Sequence, residues 1–384
     1  MFDNIYMIAA LWIGLAFAAS LISIRLGIAV ALAEIFMGVI AGNFLGVHGT
    51  NQWIDFLAAM GSLLLTFLAG SEIDPQSFKE NLKASLIMGI LSFALPFISV
   101  WLFTQYVLGW ELHQAQIAGI ALSTTSVAVI YSVMIERGLS DTSVGKLILA
   151  ACFVTDLGTV LALGVLFANF NVWMLLFVAA TVVAFFAKPY LTKIIIKKLG
   201  GNKVSEPETK FILLFLLLLA GLATAVGSEG VLPAYIMGLA VAGVFMNNKI
   251  LVSRIRTTAF TIFTPFYFIK AGLYVSLKAL FVSLGVIVIL LLIKVFFKTV
   301  GVWPMSRAIK LNTKISNYTT LLMSTGLTFG SISALYGLNN NIIDQNQYTI
   351  LVTVVILSAV VPTLIAQKFF EPSLKEMNSW GKKN

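Results

Sequence analysis

One cysteine, two histidines and 16 acidic residues are spread over 384 positions. The single cysteine, Cys152, lies in an apolar run, so no internal disulfide exists. No Walker-type or dinucleotide-type glycine loop follows a strand, and nothing points to nucleotide-driven pumping. A repeated selectivity-filter loop and an Arg-rich voltage helix are also missing, which weighs against a channel. The first apolar segment has no basic leader and no small-residue cleavage site, so it is expected to remain as a helix.

What fills the space is hydrocarbon. With 59% hydrophobic and 11% charged residues and a mean hydropathy of +0.97, the chain reads as a polytopic membrane protein. Helices and not barrel strands are expected, because the apolar runs reach about 18 to 25 residues without period-2 alternation. Thirteen spans are expected: 5–23, 27–46, 54–71, 84–108, 115–135, 143–168, 171–191, 209–227, 231–246, 256–277, 279–303, 316–336 and 347–369. With the N-terminus outside, 21 of the 25 Lys and Arg residues fall in loops on the cytoplasmic side, and only Lys278 falls outside. The positive-inside rule therefore orients the chain with an external N-terminus and a cytoplasmic C-terminus in the cell (inner) membrane. The basic surplus is topological and implies lipid as the surrounding partner, not nucleic acid.

The whole of 1–384 is read as one membrane transporter unit. The longest polar connection runs from Lys197 to Lys210 and divides it. Six spans precede the seventh and six follow it, which is the arithmetic of two inverted six-helix repeats. The expected parts are a first repeat over 1–168, a linker helix and cytoplasmic loop over 169–208, a second repeat over 209–370 and a tail over 371–384. The fifth span carries Leu122-Ser-Thr-Thr-Ser-Val-Ala128, and its counterpart, the twelfth, carries Ser324-Thr-Gly-Leu-Thr-Phe-Gly-Ser331. Such runs also suit small-residue helix packing. Matching interruptions at equivalent places in two halves favour broken helices at a transport site.

Asp156 stands at the centre of the apolar run Ile148 to Leu163. A carboxylate there is costly, so it reads as an ion or proton site with a cationic partner, the plain alternative being a Lys–Asp pair that pins two helices. Three lysines lie inside spans: Lys270, Lys294 and Lys298. Lys294 and Lys298 are four residues apart and share a helix face, which points at least one of them into the protein. Glu34 also lies within a span, where a buried structural role competes with a functional one.

Several motifs together carry a resemblance. Glu34-Ile-Phe-Met-Gly38, Phe67-Leu-Ala-Gly-Ser-Glu-Ile-Asp74, Leu122-Ser-Thr-Thr-Ser-Val127 followed by Thr155-Asp156, and Leu232-Pro-Ala-Tyr-Ile-Met-Gly238 resemble, in order, the second family of monovalent cation:proton antiporters, the NapA-like and Kef-like transporters. The resemblance extends from about Arg25 to Phe370. It implies a homodimer whose protomers have a dimerisation domain and a core domain with two crossing broken helices. It implies an ion-binding carboxylate at Asp156, crossover segments at Thr124 to Ser126 and from Gly326 through Thr328 to Gly330, and a charge partner at Lys298, with Lys294 the second match; by chemistry, the further oxygens for the cation are expected from Thr155, Thr125 and Ser126. The sixth span departs from the family pattern: Thr155 precedes Asp156 where electrogenic members have a second Asp and the glutathione-gated branch a Gln. The chain also ends soon after its last span, so no nucleotide-binding regulatory domain is expected.

The function expected is secondary-active exchange of sodium or potassium for protons at a single intramembrane Asp, with no enzymatic activity and no cofactor beyond the transported ions. The site would be a monovalent-cation site of hard oxygens. Protonated Asp156 cannot hold the cation, whereas ionised Asp156 can. Alternative readings are a sodium-coupled organic anion symporter on a similar fold and a channel or sensor derived from a carrier.

Overall fold

The computed structural model describes residues 4–47, 50–71, 82–136, 138–139, 142–167, 205–225, 231–246 and 248–379. Among them all regular structure is helical. The helices are α1 (Ile5–Leu26), α2 (Val30–Phe44), α3 (Gln52–Ser71), α4 (Leu82–Tyr106), α5 (Leu112–Ser123), α6 (Val127–Glu136), α7 (Ser143–Leu166), α8 (Pro207–Ala225), α9 (Val231–Met246), α10 (Lys249–Thr258), α11 (Thr264–Leu273), α12 (Leu277–Val282), α13 (Leu284–Ala308), α14 (Thr313–Met323), α15 (Thr328–Asn339), α16 (Gln345–Phe370) and α17 (Leu374–Ser379). Seven helical segments of the described residues, the broken 313–339 pair taken as one, are long and apolar enough to cross a membrane. The expected seventh span, 171–191, lies outside the described residues, as do the Glu72 and Asp74 end of the third-span motif and most of the polar connection after Lys197.

The helix α13 shows why these sequences suit lipid. Its buried positions include Ile287, Leu290, Lys294, Lys298 and Gly301, a stripe spaced by three and four residues. Its outward face is apolar as well, with Leu292 63% and Phe296 60% exposed. In water such a face would drive association; here the polar groups are inside and hydrocarbon outside. This helix starts and ends five residues later than the sequence suggested. Ser276 caps the short α12 by accepting from the Ala279 N–H at 3.3 Å, the chain turns at Ser283, and α13 then runs through Pro304, which sits in its last turns where the helix is about to end. The tenth span is shifted the other way: α10 begins at Lys249 and continues through a π-helical turn, Ala259–Phe263, into α11, which ends at Leu273.

The described chain forms two compact units. One comprises 51–76 and 160–267, built on α3, α8, α9 and α10. Its core gathers Met60, Leu64, Phe67, Ile212, Leu216, Met237, Val241 and Phe245. The backbones of α3 and α9 touch: a Cβ on Gly238 would collide with the Phe67 carbonyl and lie 2.8 Å from the Ser71 nitrogen.

The other unit comprises 1–50, 77–159 and 268–384. It contains both interrupted helix pairs, α5 with α6 and α14 with α15, together with α4, α13, α16 and most of α7. One core cluster joins Met88 of α4, Ile130 and Met134 of α6, Ile148 and Cys152 of α7, Val302 of α13 and Tyr318, Leu322 and Met323 of α14. The start of α16 is fixed by a capping box, in which Asp344 accepts from the Gln347 N–H at 2.7 Å and Gln347 accepts from the Asp344 N–H at 3.0 Å. Small residues bring α2 onto the end of α11. A Cβ on Gly38 would collide with the Ile269 carbonyl, one on Gly272 with the Ile35 carbonyl, and one on Gly42 would sit 2.5 Å from the Leu273 carbonyl.

Candidate functional site

Each interrupted pair breaks where hydroxyl residues cluster. Thr124 to Ser126 separate α5 from α6, with Thr124 in an extended conformation at φ −63°, ψ 155°. Ser324 to Leu327 separate α14 from α15. Ending a helix in mid-membrane strands its last carbonyls, and the side chains that end these helices satisfy them. Ser123 and Thr124 donate to the Ile120 and Ala121 carbonyls at 2.9 and 3.1 Å. Ser324 and Thr325 donate to the Thr320 and Leu322 carbonyls, both at 2.8 Å. The second interruption is earlier than the sequence suggested. Gly326 lies in it, but Thr328 opens α15 and Gly330 sits in that helix's first turn. The glycine at 330 provides clearance, not flexibility: a Cβ there would meet Val355 of α16 at 2.7 Å and the Ala121 carbonyl at 2.9 Å.

The two interruptions meet. The backbone N–H of Ser126 donates to the Thr325 carbonyl at 3.1 Å, and the Thr125 hydroxyl donates to the Met323 carbonyl at 3.0 Å. Ser126 also caps α6, its Oγ accepting from the Val129 N–H at 3.4 Å. Thr125 is therefore a bridge as much as an oxygen donor, since it accepts the Lys298 ammonium at 2.8 Å while donating to α14.

Both lysines of α13 are fully buried. Lys298 Nζ donates to Thr125 Oγ1 and, at 2.9 Å, to Ser92 Oγ of α4. Lys294 Nζ donates to Ser358 Oγ of α16 at 2.9 Å and lies directly against Gly326. One lysine thus attends each interruption. Cations are favoured at the carbonyl ends of helices, and two such ends, those of α5 and α14, are present here.

Asp156 is 1% exposed on α7, and its Oδ1 has no hydrogen-bond partner. It makes no direct ion pair with Lys298, whose ammonium is engaged by the two hydroxyls. One turn before Asp156, Cys152 Sγ contacts Met323 Sδ of α14 at 3.5 Å, which sets this part of α7 beside the second interruption. Thr155 faces α4: its hydroxyl donates to the Ala151 carbonyl at 3.1 Å, with the Gly89 carbonyl at 3.5 Å. Its oxygen keeps lone pairs for a cation only on the remaining side. Glu34, 2% exposed on α2, also has an unpartnered oxygen, Oε2. Lys270 is buried on α11.

Sequence reasoning missed Ser92 and Ser358, which together with Thr125 hold the lysines. Each is an isolated Ser in an apolar helix, and only the lysines opposite give it a role.

A buried carboxylate beside two crossing interrupted helices is the arrangement against which comparison with known proteins becomes informative. The family model described as "Sodium/hydrogen exchanger, transmembrane" matches residues 13–371. The chain belongs to that exchanger family. The exchanger chain is 25% identical over 377 residues to the Na+/H+-K+ antiporter GerN of Bacillus cereus, covering 96% of this chain and 97% of GerN. It is 23% identical over 372 residues to YjbQ of Bacillus subtilis, covering 90% of this chain but only 60% of that longer protein. The solved structure of the sodium proton antiporter MjNhaP1 from Methanocaldococcus jannaschii at pH 8 superposes with a TM-score of 0.71 at 17% identity, covering 96% of this chain and 100% of MjNhaP1. That likeness shows the same fold.

Proposed function

We propose that this chain exchanges sodium or potassium for protons by alternating access at Asp156. The observation that carries the reading is the unpartnered Asp156 oxygen, buried in an apolar helix beside two helix interruptions that cross. A group in that position can bind a proton or a cation, and holding one displaces the other. The competition couples the two flows. Oxygens for the cation come from the Asp156 carboxylate, from Ser126 and from the free sides of Thr155 and Thr125. Lys298 is the charge partner: it acts on Asp156 through space while anchored to Ser92 and Thr125. When Asp156 gives up its proton, the nearby ammonium offsets the charge it leaves behind. The name of GerN, which joins sodium, protons and potassium, supports keeping both cations in the proposal.

The reading extends to the whole architecture. We place the chain in the group of NapA-like and Kef-like transporters from its motifs, with thirteen helices in two inverted repeats, a homodimer in the cell (inner) membrane, an external N-terminus and a cytoplasmic C-terminus. It uses no cofactor beyond the transported ions.

The test is dye-detected proton movement in proteoliposomes. Addition of sodium, potassium or lithium to one side moves protons in the opposite direction if the chain is an antiporter. A requirement for an organic solute would turn the reading to symport, and cation flux without proton movement would turn it to a channel.

A further inference from the structure

The turn between α1 and α2 is tight. Gly27 takes the left-handed conformation, φ 62°, at the end of α1, and Ser23 Oγ donates across the turn to the Ile28 carbonyl at 2.7 Å. Between this hairpin and the helices α6 and α16 of the same unit lies a cleft of about 290 Å³. Ile24, Ile28 and Leu32 form one wall; Val129 and Val133 of α6 with Val360 and Leu364 of α16 form the other. The cleft opens sideways, since Ile24 is 79% and Leu364 59% exposed. Exposed apolar side chains continue from both, Phe17 and Leu21 along α1 and Val361 and Ile365 along α16, so the opening lies in a face suited to hydrocarbon.

The lining also has a polar part, Ser23, Thr363 and Gln367, which belongs to the C-terminal ends of α1 and α16. Each of those ends carries one base in its last turn, Arg25 and Lys368, and both are exposed. Neither helix contains an acidic residue, and Glu371 follows only after α16 has ended. An apolar slot that opens to hydrocarbon and is flanked by two cations is complementary to a phospholipid with a negative headgroup. Apolar burial alone does not hold a tail there, because the bilayer interior is equally apolar. The two bases supply the attraction, and they select for charge.

We propose that the cleft between the α1–α2 turn and α16 binds one anionic phospholipid, with an acyl chain in the slot and the phosphate beside Arg25 and Lys368. In the orientation proposed above both bases face the cytoplasm, where the leaflet is negatively charged. The lipid would touch α6, half of the first interrupted pair, and α16, whose Ser358 holds Lys294. The inference needs only the membrane setting and stands whether or not Asp156 exchanges ions.

Native mass spectrometry of the delipidated full-length protein, incubated with equal amounts of phosphatidylglycerol and phosphatidylcholine, tests it. The wild type should retain one phosphatidylglycerol in preference to phosphatidylcholine, and glycerol phosphate, a headgroup without tails, should not displace it. Arg25→Gln and Lys368→Gln should each reduce the preference about five-fold, and the double variant should hold both lipids alike. Lys249→Gln combined with Lys278→Gln, two exposed bases outside the cleft, should leave the preference unchanged. Val360→Phe, which fills the slot without altering charge, should lose the lipid, and Leu364→Trp is measured beside it in case the first variant does not remain folded. Equal retention of the two lipids by the wild type, loss of preference in the Lys249 and Lys278 control, or displacement by glycerol phosphate overturns the proposal. So does retention by both filled variants, or lipid found on monomers and absent from dimers, which would give the cleft to a second copy of the chain.

Discussion

The Ser126 N–H and the Thr325 carbonyl, 3.1 Å apart, are hydrogen-bonded across two different broken helices. Each interruption thus completes the backbone of the other, in a region where water is not available to do so. A chain that opens its helices at this depth must close them with such partners, and the functional groups gather around the closure.

Asp156→Asn is expected to abolish cation-driven proton movement while leaving the protein folded. The amide keeps the shape and removes the titratable group, and no hydrogen bond to Asp156 Oδ1 is lost. Near-normal exchange by Asp156→Asn proteoliposomes would remove Asp156 from the mechanism.

Lys298→Gln should alter the pH profile of exchange and lower the melting temperature in detergent. It takes a charged donor from Ser92 and Thr125, a loss on the order of 1–3 kcal/mol for buried groups. If Lys270→Gln shifts the pH profile and Lys298→Gln leaves it unchanged, the charge partner is misassigned.

Gly326→Ala and Gly221→Ala should move stability in opposite directions. A Cβ on Gly326 collides with Lys294 and approaches Thr124 Oγ1 to 2.7 Å, whereas Gly221, inside α8, has nothing within 4 Å. Overpacking at the first should cost roughly 1–3 kcal/mol, and alanine at the second should stabilise by about 0.5–1 kcal/mol. Thermal unfolding of both variants checks the pair, and equal shifts would contradict the packing described.

Exchange is expected to be electroneutral, one cation for one proton. Thr155 supplies no second acid beside Asp156, and one-for-one exchange follows if Lys298, which donates to the Ser92 and Thr125 hydroxyls, keeps its proton through the cycle. Loss of that proton on cation binding would move one extra charge per cycle, worth about 2.3 kcal/mol per 100 mV. Sustained cation-dependent currents on solid-supported membranes, scaling with imposed potential, would refute one-for-one exchange.

Much of this was legible in the sequence because membrane chemistry is severe. Asp156 stands out since a carboxylate in an apolar run needs a reason, and the two hydroxyl runs mark the interruptions for the same cause. The end of the second one was misplaced because the resemblance carried the crossover as far as Gly330, beyond the hydroxyl run that ends α14. Gly330 instead lets α15 lie against Ala121 and Val355. The partners Ser92 and Ser358 could not be seen, because a single serine in an apolar helix commonly bonds its own backbone, as Ser358 also does with Val355. The division into units was equally hidden. Segments 51–76 and 160–267 pack together although residues 77–159, about half of the expected first repeat, separate them.

The contact of α2 with α11 has a mechanical consequence. Where Gly38, Gly42 and Gly272 lay backbone against backbone, no layer of side chains remains that could shear or change rotamer to absorb a displacement. The two helices are therefore coupled as a strut, and a probe attached to one reports the travel of both during the transport cycle.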